Sequence, residues 1–273
     1  DGLQGNVASL VHIPCKGPYD LGFWRQVCIV TKRIQPDIAH THYDRANLLG
    51  PFVMKLCGVS HVFQYFRNSF VDRGGIRKRM YFFAAKHFVS LMYCVSEQIR
   101  NQLVEFGMPP SLVEVQALGL DLSLYNRPHQ TEINNTEKRP LQILTVADAR
   151  PEKGLDILIQ AFSRAKVQVA DMRLCIVGDG PLLEHVQTLA ESLGIQDSVN
   201  FLGRRDDVPM LLSQGDLYIQ PSLSEGRPLA VMEAMATGLP IIASNVGGIP
   251  DLLEHKVSGF LVPSGDADCL AAA

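Results

Sequence analysis

The sequence predicts an α/β protein of two domains, each built around a parallel sheet. Three observations lead there. Both halves alternate short β-branched runs with longer amphipathic stretches, the pattern of βαβ units. The 273 residues are enough to bury two cores of ordinary size, and the 47% hydrophobic and 19% charged content is that of a globular chain. Between the halves, "YNRPHQTEINNTEKRP" (125–140) is polar, holds two prolines and lacks periodicity, as a linker does. The expected organisation is therefore a first domain over 1–126, a linker over 127–139 and a second domain over 140–273.

In chain order, "PDIAHTH" and "HVFQYF" read as strands of the first half. In the second half "LQILTVADA" (141–149), "MRLCIVGDG" (172–180), "SVNFLG" (198–203), "GDLYIQPS" (215–222) and "PIIASN" (240–245) repeat the theme, separated by helical stretches such as "GLDILIQAFSRAK". Many of these strands run into Gly, Asp or Ser. That places functional loops at their carboxyl ends, where open α/β sheets bind ligands.

One such loop carries the chemistry. "LYIQPSLSEG" is a strand entering a loop, and "RPLAVMEAMATG" is a helix with Pro228 near its first turn and Gly238 just past its end. Glu225 falls in the loop and Glu233 inside the helix. Ser222, Ser224 and Gly226 are small enough to let backbone N–H groups face a ligand, with the positive end of the helix behind them, which suits a phosphate. A carboxylate beside a phosphate site accepts hydroxyl protons from a neighbouring sugar, and one two turns on can bond a ribose diol. Together the pair would bracket a nucleotide sugar. The plainer alternative makes Glu225 a solvated loop residue and Glu233 an exposed helix position. Ala230, Val231, Met232, Ala234 and Met235 around Glu233 argue against that, because buried carboxylates need partners.

Composition and the remaining motifs narrow the classes. No apolar run reaches the roughly 18 residues of a membrane span. The start, "DGLQGNVASL", reads neither as a signal peptide nor as an initiator Met, so the chain is expected to begin mid-protein. Six scattered cysteines with no CxxC read as free cytosolic thiols. Residues 1–126 hold 13 Lys+Arg against 9 Asp+Glu and the rest 12 against 19, which suggests two bodies with different partners. Neither half is basic enough for nucleic acid. His40 and His42 in "HTH" lack a third metal ligand, "GDGP" at 178–181 lacks the last Gly of a dinucleotide fingerprint, and Asp266-Ala267-Asp268 reads as a loop and helix cap. In "DRGGIRKRMYFF" (72–83), Arg77, Lys78 and Arg79 precede an aromatic run that could rest on an anionic membrane or form a solvated basic face.

"PSLSEGRPLAVMEAMATGLPIIASNVGGIPDLLEHKVSGFLVPSGD", together with "ARPEKGLDILIQAF", "IVGDGPLLEHVQTLAESLGIQDSVNFLG", "PDIAHTH" and "CVSEQIRNQLVEFG", resembles the retaining glycosyltransferases of family 4, with their E-x7-E motif at Glu225 and Glu233. The resemblance covers nearly the whole chain. It implies a GT-B architecture, two Rossmann-like domains with parallel sheets facing across a cleft, the donor in the second domain and the acceptor mostly in the first. It implies transfer of a sugar from a nucleotide-diphosphate donor to an acceptor hydroxyl with retention of configuration and no metal or other cofactor. The acceptor would be a glycan or lipid-linked molecule of the cell surface, and the location cytoplasmic, at the inner face of the membrane. By position, Glu233 matches the ribose-binding Glu, Glu225 the one near the sugar hydroxyls, and Lys153 the lysine that neutralises the diphosphate. Gly226 and the backbone of Arg227, Pro228 and Leu229 match the phosphate cradle.

Three positions depart from the family pattern. Asp148 stands where an Arg is usual, with Arg150 two residues on as a candidate substitute. Arg67 aligns with a His and, being always protonated, can act only as an electrostatic or phosphate contact. Leu118-Gly119-Leu120-Asp121 lacks the family's Asn. Asp148 and Arg67 motivate a rival reading, a non-catalytic homologue that binds a nucleotide sugar; a second rival is a nucleotide-sugar epimerase of the same architecture. By family standards the chain is expected to be a fragment, lacking an opening unit of its first domain and a closing helix.

Overall fold

A computed structural model describes residues 10–17, 19–67, 75–125 and 139–273, excluding the side chains of residues 44, 45 and 76–78. The chain divides into two compact units: residues 1–94 with 100–116, and residues 95–99 with 117–273. Most of the expected linker lies outside the described residues. Arg139, at its end, pairs both guanidinium nitrogens with Asp216 at 2.7 and 2.6 Å.

The first unit contains α1 (Leu21–Ile34), β1 (Ile38–His42), α2 (Tyr43–Leu56), β2 (His61–Phe66), α3 (Gly75–Phe88), β3 (Leu91–Cys94), α4 (Glu97–Glu105) from Arg100 onward, its first three residues being counted with the second unit, and β4 (Val113–Val115). Among the described residues its four strands form a parallel sheet in the order β1-β2-β3-β4. Asp20 caps α1 by accepting from the Phe23 N–H at 3.1 Å. The two-residue period of the strands buries Val62, Gln64, Phe66, Met92 and Cys94 on one face. The other face, with His40, Phe63, Tyr65 and Tyr93, is only half-buried or exposed.

The second unit continues with β5 (Leu141–Val146), α5 (Leu155–Gln168), β6 (Met172–Val177), α6 (Leu183–Ser192), β7 (Val199–Gly203), α7 (Val208–Ser213), β8 (Leu217–Gln220), α8 (Leu229–Thr237), β9 (Ile241–Ser244), β10 (Phe260–Val262) and α9 (Ala267–Ala272). All six strands are parallel, in the order β10-β9-β8-β5-β6-β7. Counted from β5, this is the doubly wound order in which the chain reverses direction between β5 and β8, the point where such sheets open a ligand crevice. Alternation sends Ile143, Ile219 and Ile242 to one core, shared with Leu158, Ile159 and Phe162 of α5. It sends Leu144, Tyr218 and Ile241 to the other, shared with Val231 and Ala234 of α8. Each fully buried aliphatic side chain contributes about 1.5–3 kcal/mol of transfer free energy, so both faces are held by helices.

The strands expected in "PDIAHTH", "HVFQYF" and the five segments of the second half are all present. β3, β4 and β10 were not anticipated; at three residues each, β4 and β10 are too short to display a period of two.

Candidate active site

The site residues of the second unit come from the loops after β5 and β8, on either side of the reversal point. After β5 the chain makes a single 3-10 turn, Pro151–Lys153, closed by Gly154 in the left-handed region at φ +61°. After β8 it runs through Pro221 to Gly226 into α8. The two loops clasp each other: the Leu223 and Ser224 N–H groups both donate to the Glu152 carbonyl, at 2.9 and 3.3 Å. A Cβ on Gly154 would fall 2.4 Å from the Pro221 carbonyl oxygen, so only glycine permits this approach.

The clasp brings Lys153 to Glu225, with Nζ 2.7 Å from Oε1. Glu225 is 7% exposed, and an ionised carboxylate at that depth requires partners. It has them: the Ser222 hydroxyl donates to Oε1 at 2.7 Å and the Gln220 amide at 3.1 Å. Gln220 is itself fixed, because the Tyr218 hydroxyl donates to its Oε1 at 2.6 Å, which turns its nitrogen toward Ser222 and Glu225. Tyr218, Gln220 and Ser222 are all buried, so a hydrogen-bonded chain runs beneath the loop and sets the direction of the carboxylate.

A third loop completes the setting. Gly247, after β9, adopts φ +62°, and a Cβ there would lie 1.9 Å from the Glu225 carbonyl oxygen; one on Gly248 would lie 2.2 Å from that of Gly226. The paired glycines thus let this loop press against the Glu225–Gly226 backbone.

Helix α8 begins directly behind. Pro228 is its N-cap and supplies no side-chain cap, its first turn contains no acid, and Gly238 closes it at φ +74°. This helix end is therefore not neutralised by its own residues. Gly226 and Pro228 are buried and Leu229 is partly exposed at the first helical position. The Arg227 side chain has a buried Nε without a hydrogen-bond partner among the described residues.

Glu233, one turn into α8, is half-buried, and its Oε1 accepts a 2.8 Å hydrogen bond from the Tyr125 hydroxyl. Burial, then the hydrogen bond and the charge of Glu233, push the Tyr125 phenol well above its ordinary pKa. Tyr218 lies within electrostatic reach of both acids: burial raises its phenol first, and the charges of Glu225 and Glu233 add to that, opposed only by a backbone hydrogen bond at Val146.

Asp148 and Arg150 sit apart from this cluster in character. Their side chains are 64% and 58% exposed and form a loose pair at 3.8 Å. Arg67 belongs to the first unit, exposed just past β2. Its charge, after partial desolvation and the charge of His40, helps to hold His42 below the usual imidazole pKa. Tyr43, which follows His42, takes φ +67°, a strained conformation for an aromatic residue.

Of the residues that the sequence identified, Lys153 and Glu225 are therefore in contact, Gly226 follows in the same loop, and Glu233 stands on the helix that the loop enters. Tyr125, Tyr218, Gln220 and Gly247 were not singled out as site residues. The signals for Gln220 and Gly247 were present in "YIQPS" and "VGG", a polar residue inside an apolar strand and a glycine pair. Tyr125 opens the polar stretch 125–140 and falls at the end of the expected first domain, yet it is 8% exposed in the α8 core.

Comparison with known proteins identifies the family. The family model described as Glycosyl transferases group 1 matches residues 126–273, and that described as Glycosyltransferase Family 4 matches residues 4–124. The amylovoran biosynthesis glycosyltransferase AmsK of Erwinia amylovora is 34% identical over 190 residues, covering 67% of this chain and 46% of its own. The N-acetyl-alpha-D-glucosaminyl L-malate synthase of Bacillus anthracis is 27% identical over 282 residues, covering 93% and 68%. Anabaena Alr3699/HepE, solved in complex with UDP and glucose, shares the fold at a TM-score of 0.80 and 24% identity, over 95% of this chain and 73% of that one. The chain thus spans about half the length of AmsK. The expected GT-B class, with two parallel-sheet units of Rossmann type, is the class observed. With residues 126–273 matched by one family model and residues 4–124 by the other, the chain belongs to the family 4, group 1 glycosyltransferases.

Proposed function

We propose that this chain forms the core of a retaining glycosyltransferase that moves a sugar from a nucleotide-diphosphate donor to an acceptor hydroxyl in cell-surface glycan or glycolipid synthesis. The observation that carries the reading is the meeting of Lys153 and Glu225 at 2.7 Å beside the uncapped start of α8, with Glu233 on that helix. A departing nucleoside diphosphate gains negative charge, and Lys153 with the helix end would stabilise it without a metal. Glu225, held by Ser222 and Gln220, would meet the sugar hydroxyls, and Glu233 the ribose. The cradle is Gly226 with the backbone of Arg227, Pro228 and Leu229. UDP and UDP-glucose are bound by HepE, which makes uridine donors the first to try. The test is transfer or hydrolysis of nucleotide sugars by a full-length protein; turnover lost in both Glu225→Ala and Lys153→Ala supports the reading, and its survival in either overturns it.

A second reading, nucleotide-sugar binding without turnover, is favoured by Asp148 in the place of a cation and Arg67 in the place of a His. Donor binding with neither hydrolysis nor transfer would select it, and an epimerised donor formed without acceptor would select an epimerase.

The acceptor is proposed to be glycan or lipid-linked, reached at the inner face of the membrane through α3. Arg79, Phe82, Phe83 and Lys86 form one exposed stripe at helical spacing, and α3 contains no acidic residue. The side chains of Arg77 and Lys78 lie outside the described residues. Among the described residues no helix is long and apolar enough to cross a membrane. Co-sedimentation with anionic but not zwitterionic vesicles, lost in Arg79→Glu/Lys86→Glu, is the expected outcome; equal binding to both would remove this surface.

A further inference from the structure

Tyr125 is buried in one apolar cluster with Leu144, Leu212, Val231, Leu239 and Ile249, and 108 residues of sequence separate it from the carboxylate its hydroxyl meets. We propose that Tyr125 is a positioning residue of the nucleotide site: its hydroxyl fixes the Glu233 carboxylate toward the ribose diol. The inference rests on the reading of Glu233 as the ribose contact.

The chemistry of the contact gives it direction. An ionised carboxylate only accepts, so the phenol donates, and its raised pKa keeps that proton in place through the neutral range. Among the described residues Tyr125 is the one side chain hydrogen-bonded to this carboxylate, since Thr237 bonds the Glu233 backbone carbonyl instead. A glutamate on a helix surface otherwise samples several rotamers, and ordering it on binding costs affinity. Tyr125 removes that cost beforehand, because its own ring is held by apolar packing that does not depend on the hydroxyl. It occupies Oε1 alone, so a diol hydroxyl can bond the same carboxylate in a set orientation.

The test uses Tyr125→Phe, which keeps the packed ring and deletes the hydroxyl. Affinities are measured by calorimetry on the full chain for whichever of UDP, GDP and ADP wild type binds tightest, and for its 2′,3′-dideoxy form. Tyr125→Phe is expected to weaken the ribonucleotide about 3- to 10-fold, the range of a lost hydrogen bond, and to leave the dideoxynucleotide unchanged. A purely structural role would weaken both alike. In a Glu233→Ala background Tyr125→Phe should have no further effect. If Glu233→Ala weakens the ribonucleotide while Tyr125→Phe does not, the positioning role falls and the ribose reading stands. If Glu233→Ala changes nothing, or none of the three nucleotides binds, the ribose reading itself falls and this inference with it. Should Tyr125→Phe fail to fold, Glu233→Asp draws the carboxylate back from the hydroxyl, and undiminished preference for ribose over dideoxyribose in that variant would overturn the proposal.

Discussion

Lys153 Nζ and Glu225 Oε1 lie 2.7 Å apart, joined across 72 residues of sequence. Each therefore answers for the other: Lys153 is three-quarters buried and Glu225 almost wholly so. Lys153→Ala should abolish most activity and also destabilise the second unit by about 2 kcal/mol, less than the usual cost of stranding a buried charge because Ser222 and Gln220 still donate to Glu225. Thermal melts of Lys153→Ala and Lys153→Ala/Glu225→Gln check this. The double variant should regain stability without regaining turnover, and a double variant no more stable than the single one would show that the pair is not coupled.

The two acids should separate binding from turnover. Glu233→Ala is expected to weaken nucleoside diphosphate binding by about 1–3 kcal/mol, the cost of losing a hydrogen bond to a charged group. Glu225→Ala should spare that affinity and lower kcat. Calorimetry giving equal nucleotide affinity for wild type and Glu233→Ala would remove the ribose assignment.

The direction set by the buried chain under the loop can be tested at Gln220. Gln220→Leu leaves the Ser222 and Lys153 contacts to Glu225 but deletes the amide donor and strands the Tyr218 hydroxyl. It should lower kcat about 10-fold with nucleotide affinity held, and cost about 1–3 kcal/mol of stability for the buried phenol proton left without its acceptor. Unaltered kcat in a folded Gln220→Leu protein would mean that Ser222 and Lys153 suffice to aim the carboxylate.

If Lys153 and the α8 terminus handle the leaving group, as proposed, activity of a full-length protein should persist in EDTA. Loss of activity restored by Mg²⁺ or Mn²⁺ would mean that a metal, and not Lys153, neutralises the diphosphate. At Asp148, exposed and only loosely paired with Arg150, substitution by Arg should raise nucleoside diphosphate affinity by about 1 kcal/mol, because most of the Coulombic gain is offset by solvation. The gain should shrink with salt and vanish for the bare nucleoside. No gain would mean that Asp148 faces away from the donor and that Arg150 is the better candidate cation.

In the first unit, His42 is held below its ordinary 6.5 by desolvation first and then by the charges of His40 and Arg67. The unfolded chain then takes up the proton before the folded one does, so this residue's contribution to stability is present above about 6.5 and falls as pH drops below that value. His40→Gln and Arg67→Gln should each raise the His42 midpoint in an NMR titration. An unmoved midpoint in Arg67→Gln would show that Arg67 turns away from β1.

The sequence by itself determined the local order of this protein. β-branched runs ending in small residues marked most of the strands and their loops, Pro228 and Gly238 marked the ends of α8, and a glutamate amid apolar helix residues marked Glu233. These signals are legible because periodicity and turn chemistry act over a few residues. Strands β4 and β10 escaped because three residues cannot show a period. Only the tertiary structure decided which residues meet. The strand order β7-β6-β5-β8-β9-β10 makes the β5 and β8 loops neighbours, and so joins Lys153 to Glu225. Packing of the Tyr125 ring into the α8 core joins it to Glu233. Gly154 and Gly247 are required by backbones distant in sequence, at Pro221 and Glu225. Such contacts depend on the global arrangement of the sheet and on side-chain packing, and no local pattern encodes them.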